Sequence, residues 1–99
     1  MRTVTISKTA NIKIEKLFDY LLENWNPKVK SNFIEKLDRS VKIIQLSPES
    51  FPESKKKKGL HKFVITKQTT LLYRFNSKRI VIISIFDTRQ NPNKLYLDL

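Results

Sequence analysis

Between Ile14 and Ile44 the apolar residues keep a helical period, and after Lys62 they do not. Ile14, Leu17, Phe18, Leu21, Leu22 and Trp25 fall three and four residues apart, the stripe of an amphipathic helix that begins near Ala10. Val29, Phe33, Leu37, Val41 and Ile44 repeat the pattern. Asn26-Pro27 lies between the two stripes and supplies an N-cap followed by proline at the first helical position. So short a connection predicts an antiparallel helical hairpin. On the second helix, Glu35 with Arg39 and Asp38 with Lys42 are acid-first pairs four residues apart, which suits an exposed face.

Three strand-like runs follow: Lys62–Lys67 (KFVITK), Thr70–Phe75 (TLLYRF) and Ile80–Phe86 (IVIISIF), with turns near Gln68 and at Asn76–Lys78. Their short spacings favour antiparallel hairpins over crossovers. Ahead of the helices, Thr3–Ser7 alternates with Val4 and Ile6 on one side, the pattern of a short strand with one buried face. The expected fold is therefore α+β in the order β-α-α-β-β-β, a helical hairpin packed on a small, mainly antiparallel sheet. IVIISIF is the most continuously apolar run and is predicted to lie centrally, with the helices on one face and other chain over part of the second.

Ninety-nine residues suffice for one domain with a modest core, so residues 1–99 are read as a single domain. No cysteine is present, which excludes disulfides, thiolate metal sites and cysteine nucleophiles. The N-terminal MRTVTISKTANIK lacks the apolar core of a secretory signal, and no stretch approaches the length of a membrane span. A cytoplasmic protein without a membrane partner is expected.

The formal charge is +11 and it is unevenly placed. Residues 1–54 carry nine Lys/Arg against seven Asp/Glu, a net of +2, whereas residues 55–99 carry eleven against two, a net of +9. A domain polarised in this way attracts polyanions, so nucleic acid is the first partner to consider and an acidic protein the second.

Residues 47–59 (SPESFPESKKKKG) hold two prolines and the only glycine and read as a loop. Within it, Lys55, Lys56, Lys57 and Lys58 are either a phosphate clamp or a solvated tip that keeps the chain soluble. Arg74 is a further candidate for contact with nucleic acid. Tyr73 and Phe75 stand at strand spacing, where aromatics are more often core than base-stacking platforms. His61 has no second histidine or cysteine to complete a metal site and is read as a surface or edge residue. No cofactor is implied, since one glycine cannot make a glycine-rich phosphate loop and no Ser, His and acid are spaced as a hydrolytic triad.

The ending of the last strand, Asp87-Thr88-Arg89-Gln90-Asn91-Pro92, is different. A strand this apolar needs no charged pair at its end for stability. The plainer reading is an Asp87–Arg89 surface contact of little energetic weight. The functional reading is that Arg89 lies near Lys62 or Lys67 and the tail Tyr96, where several cations and a phenol hold an RNA phosphate. Asp87 is then assigned to positioning the turn or Arg89.

The whole order of elements resembles the RelE/ParE superfamily of bacterial type II toxins. The residues that carry the likeness are Trp25 closing the first helix, the stripe of the second, Phe51-Pro52, Gly59-Leu60, LLYRF and above all IISIFDTRQNP. Members are small basic proteins neutralised by a labile cognate antitoxin. For that partner an acidic or amphipathic segment is expected, covering the basic groove or docking on the helices. In RelE-like members an arginine matching Arg89 stabilises the scissile phosphate of mRNA on the ribosome, with a tail tyrosine close to Tyr96 and strand-two basic residues near Lys62 and Lys67. ParE-like members poison DNA gyrase without the nuclease set, and the Arg-x-Asn-Pro ending resembles that branch at least as closely. The resemblance thus implies a growth-inhibiting toxin, with ribosome-dependent, metal-independent mRNA cleavage favoured. A non-enzymatic gyrase poison is the alternative, and a non-toxic basic binding domain the third reading. A nuclease of this kind needs a base for the 2′-hydroxyl proton, an acid for the leaving oxygen and positive charge at the phosphorane.

Overall fold

The computed structural model describes residues 1–89. Its elements run β1 (Thr3–Ile6), α1 (Lys8–Asn24), α2 (Pro27–Leu46), a short 3-10 turn (Pro48–Ser50), β2 (His61–Val64), β3 (Thr69–Phe75) and β4 (Arg79–Asp87). The four strands form one mixed sheet in the order β1-β4-β3-β2. β4 is central, as IVIISIF predicts. It pairs antiparallel with β3 and parallel with β1, and β2 pairs antiparallel with β3.

The helix boundaries follow from local chemistry. Ser7 caps α1, its Oγ accepting from the Ala10 amide at 3.1 Å, and Asn26 caps α2 in the same way through the Val29 amide at 3.0 Å. Pro27 opens α2, where it has no lost hydrogen bond to account for. The Ser7 hydroxyl also donates to the Ile83 carbonyl at 3.0 Å, tying the start of α1 to the central strand. Ser7→Ala removes both bonds and should lower stability by about 1–2 kcal/mol, measurable as a shift in urea midpoint with unchanged slope.

The helical hairpin covers one face of the sheet. Leu17 and Leu21 from α1 and Phe33, Leu37 and Ile44 from α2 meet Phe63, Leu71, Tyr73, Ile80, Ile82 and Ile85 in the main core. The second face carries a smaller cluster of Leu60, Leu72 and Phe86, with Ile83 against it. The loop before β2 supplies Leu60, and so part of that face is covered by chain other than helix.

Three apolar residues depart from their expected burial. Ile6, Leu22 and Trp25 remain 47%, 42% and 48% exposed. β1 is an edge strand among the described residues, and only Val4 of its expected pair is partly buried. Trp25 is the residue after the last helical position of α1, with φ −130° and ψ −106°, so it leaves the buried stripe at the point where the backbone leaves the helix.

One irregularity in β4 decides where its end points. Leu72 pairs with Ser84, but Tyr73 pairs with Ile82, leaving Ile83 as an extra residue, a β-bulge. Without it, strict alternation from Ile80 and Ile82 would turn residues 84 and 86 to the helices and residues 85 and 87 to the open face. With it, Ile85 and Asp87 face the helical hairpin, while Ser84 and Phe86 face away.

Candidate functional site

Beyond the bulge, Asp87 and Arg89 form a clasp on the helical side. The Asp87 side chain is fully buried and that of Arg89 is 25% exposed. Asp87 Oδ1 accepts from the Arg89 backbone amide and from Nε, both at 3.0 Å, and Oδ2 accepts from Arg89 Nη2 at 2.7 Å. The Thr69 hydroxyl donates to Oδ2 at 2.5 Å from the adjacent strand. The carboxylate is thus satisfied on every side, by a bidentate fork of the strong charge-assisted kind. The plainer sequence reading, a surface contact, underestimates it.

The electrostatics of the pair follow from this geometry. Burial pushes the Asp87 carboxyl up, but the hydrogen bonds from Arg89 and Thr69, together with the guanidinium charge, outweigh it and hold the group below its ordinary value. The Asp87 hydrogen bonds raise Arg89, against the opposing effect of its partial burial. A carboxyl depressed in the native state stabilises the fold above its unfolded value, near pH 4, and that contribution is lost as pH falls through the native value. Denaturant midpoints measured from neutral pH into acid should therefore fall more steeply below about pH 4 in the wild type than in Asp87→Asn.

Around this clasp α1 and α2 contribute an exposed corner. The Arg89 guanidinium carbon lies 5.5 Å from the centre of the Trp25 ring, a cation–π arrangement. Tyr20 packs against Trp25 with ring centroids 5.7 Å apart, and its hydroxyl donates to the Arg89 carbonyl at 3.2 Å. A shallow cavity beside Arg89 has Leu21, Val29 and Phe33 as its floor and Asn32, Lys36 and Gln68 at its rim. The clasp therefore presents arginine, tryptophan and tyrosine together at the surface.

The other sequence candidates are placed differently. Lys62 pairs with Leu72, and Leu72 belongs to the cluster on the open face, so Lys62 points away from the helical hairpin and from Arg89. Arg74 is on that same open face, two residues along β3, and its Nη1 donates to the Lys58 carbonyl at 3.0 Å. This bond ties the exposed Lys55–Lys58 loop to the open face. Lys67 is exposed in the β2–β3 turn beside Gln68, whose carbonyl accepts from the Thr88 amide at 2.8 Å, and so stands nearer the Arg89 end. Tyr96 lies outside the described residues. Of the expected convergence, the structure brings Lys67 towards Arg89 and separates Lys62 from it.

Tyr73 and His61 belong to the body of the fold. Tyr73 is buried, donates to the Pro48 carbonyl at 2.6 Å, and has its phenol pushed up to about 12 by burial and by nearby Glu49. His61 stacks on it with centroids 5.5 Å apart and holds the Phe51 carbonyl through Nδ1 at 2.8 Å. Among the described residues, no three His, Asp or Glu side chains gather in a way that could hold a metal ion.

Three residues important to these surfaces escaped the sequence reading. Thr69, which anchors Asp87, carries no signal of its own. Arg79 had one: it directly precedes Ile80, and strand alternation puts it on the open face. Lys13 reaches Ser84 Oγ at 3.1 Å and lies 4.5 Å from the centre of the Phe86 ring, past the point where β1 stops pairing with β4.

The sequence and the fold find their counterpart in a known family. The sequence model of the ParE toxin of the type II toxin-antitoxin system parDE matches residues 4–92. The chain belongs to the ParE toxin family. Solved structures agree on the fold of this ParE-family chain. A chain of the chromosomal ParDE system from P. aeruginosa superposes with a TM-score of 0.73 at 15% identity, covering 88% of this chain and 96% of that one. A chain of the DinJ–YafQ complex of E. coli gives 0.62 at 10% identity, over 92% and 98%. The YoeB dimer of Staphylococcus aureus gives 0.60 at 17% identity, over 86% and 94%. No curated protein matches the ParE-family chain. Among the described residues no helix is long and apolar enough to cross a membrane.

Proposed function

We propose that this ParE-family toxin inhibits growth by binding a protein target, DNA gyrase, in the cytoplasm, and that a cognate antitoxin neutralises it. The observation that carries this reading is the orientation of Arg89. Its guanidinium is engaged by a buried carboxylate and turned to the helical side, where it supports an exposed tryptophan. Arginine, tryptophan and tyrosine are the residue types that most often dominate protein interfaces, especially where an anchored charge and a ring form one rigid unit. An arginine serving a scissile phosphate would instead need its fork available to the substrate.

One observation favours the ribosome-dependent mRNA nuclease as a second reading. Lys62, Arg74 and the lysine loop share the open face, which offers an RNA positive charge. That grouping is separated by the sheet from Arg89, and among the described residues of the open face neither a histidine nor a carboxylate supplies a proton acceptor.

For the antitoxin, the sheet offers a groove of about 530 Å³ between β1 and α2, lined by Val4, Ile6, Leu37, Val41 and Leu71. An amphipathic antitoxin segment laid there would cover the exposed Ile6 and pair with the open edge of β1. The proposed function is tested by adding antitoxin-free protein to purified gyrase and relaxed plasmid. Supercoiling should be inhibited, and inhibition should be relieved by the antitoxin. Uninhibited supercoiling by protein that still arrests growth would remove gyrase as the target.

A further inference from the structure

The open face of the sheet has no role in the contact proposed for Trp25 and Arg89, yet it holds much of the positive charge. Lys62, Arg74 and Arg79 project from it, and the remaining strand residues there are apolar or hydroxyl-bearing, with no carboxylate among those described. The lysine loop joins them and is fixed in place. Ser54 Oγ accepts from the amides of Lys56 and Lys57 at 3.2 and 3.3 Å, the Ser54 amide donates to the Leu60 carbonyl at 2.6 Å, and Leu60 is buried beneath. Gly59 completes the turn at φ 82°, and a Cβ there would stand 2.9 Å from Arg74 Nη1. Two acids on the segment leading to the loop face other groups: Glu53 lies 3.8 Å from His61 and Glu49 lies 3.7 Å from Arg2.

We propose that this face binds the sugar-phosphate backbone of double-stranded DNA, so that the toxin contacts its target enzyme with one side and duplex DNA with the other. Three features select this ligand. A surface with cations and no carboxylates attracts a polyanion by releasing its counterions. The loop lysines start from fixed backbone positions, which reduces the ordering cost of binding. Among the described residues no exposed aromatic stands on the face, Phe86 being only 7% exposed, so they offer no stacking platform of the kind that single strands use. Contact is then with phosphates alone, independent of base sequence. The choice of DNA over RNA rests on the gyrase reading, because duplex DNA is that enzyme's own substrate.

The test is fluorescence anisotropy of the antitoxin-free protein with labelled random-sequence duplex DNA over a series of salt concentrations. The logarithm of affinity should fall linearly with the logarithm of salt, by about 0.9 for each phosphate contacted. The triple variant Lys57→Gln/Lys58→Gln/Lys62→Gln should lower that slope by about 2–3 and weaken binding at every sequence. Lys28→Gln/Arg39→Gln/Lys42→Gln removes the same charge from α2 and should leave binding unchanged. Equal weakening by both variants would show diffuse attraction and overturn the proposal, as would single-stranded DNA or duplex RNA binding more tightly than duplex DNA. Absent duplex binding with supercoiling inhibition intact overturns this inference alone. Binding as described without any effect on gyrase supports the surface and removes the proposed target.

Discussion

Arg89→Ala should destabilise the fold by about 2–3 kcal/mol, below the full cost of breaking a buried ion pair because a quarter of the arginine already meets solvent. What it leaves behind is the cause: a fully buried Asp87 carboxylate with only the Thr69 hydroxyl and a backbone amide to satisfy it. For a domain of this size that loss is a large fraction of the total stability. Asp87→Ala should cost less, since the freed guanidinium can turn to water and Thr69 keeps its contact with the Thr66 hydroxyl at 3.2 Å. The double variant should be more stable than the sum of the two singles predicts, with a coupling of about 1–3 kcal/mol. Urea denaturation of the four proteins measures this cycle. Equal stability of wild type and Arg89→Ala would mean that the clasp has no structural weight. The same ranking should hold for growth inhibition, Asp87→Ala weakening it less than Arg89→Ala, and the reverse order would contradict the positioning role of Asp87. A loss of toxicity in Arg89→Ala is therefore not in itself evidence of catalysis.

Trp25→Ala separates stability from function in the opposite sense. Trp25 is 48% exposed and lies past the last helical residue, so its removal leaves the main core intact and should change stability by less than about 1 kcal/mol. If it is the centre of the target contact, inhibition should weaken by about 30-fold or more, the 2 kcal/mol that marks an interface hot spot. Supercoiling inhibition titrated with wild type and variant reads this directly. Equal potency would place the target contact elsewhere.

The helical hairpin was legible in the sequence because both stripes are long and each helix starts with a capping residue at a break in the pattern. The central place of β4 was legible from its continuous apolar character. That same character hid the feature that matters most for the site. In IVIISIF nearly every position is apolar, so no alternation marks Ile83 as the extra residue, and nothing local indicates that the strand changes face there. The bulge turns Asp87 and Arg89 from the side of Lys62 and Arg74 to the side of Trp25. Trp25 itself was placed in the buried stripe by spacing, although the Asn24-Trp25-Asn26-Pro27 sequence signals the helix end that exposes it. The Asp87–Thr69 bond is a contact between residues eighteen apart in sequence and depends on strand register, which a hydrophobic pattern specifies only to within a face.

The most direct test of the account is a purified translation reaction in which mRNA ends are mapped with and without ribosomes, using a preparation of the toxin already shown to block supercoiling. Binding as the mode of action predicts no new mRNA ends in either case. Ribosome-dependent cuts that disappear in Lys62→Ala, a variant whose fold should be intact, would contradict it and assign the open face to RNA cleavage.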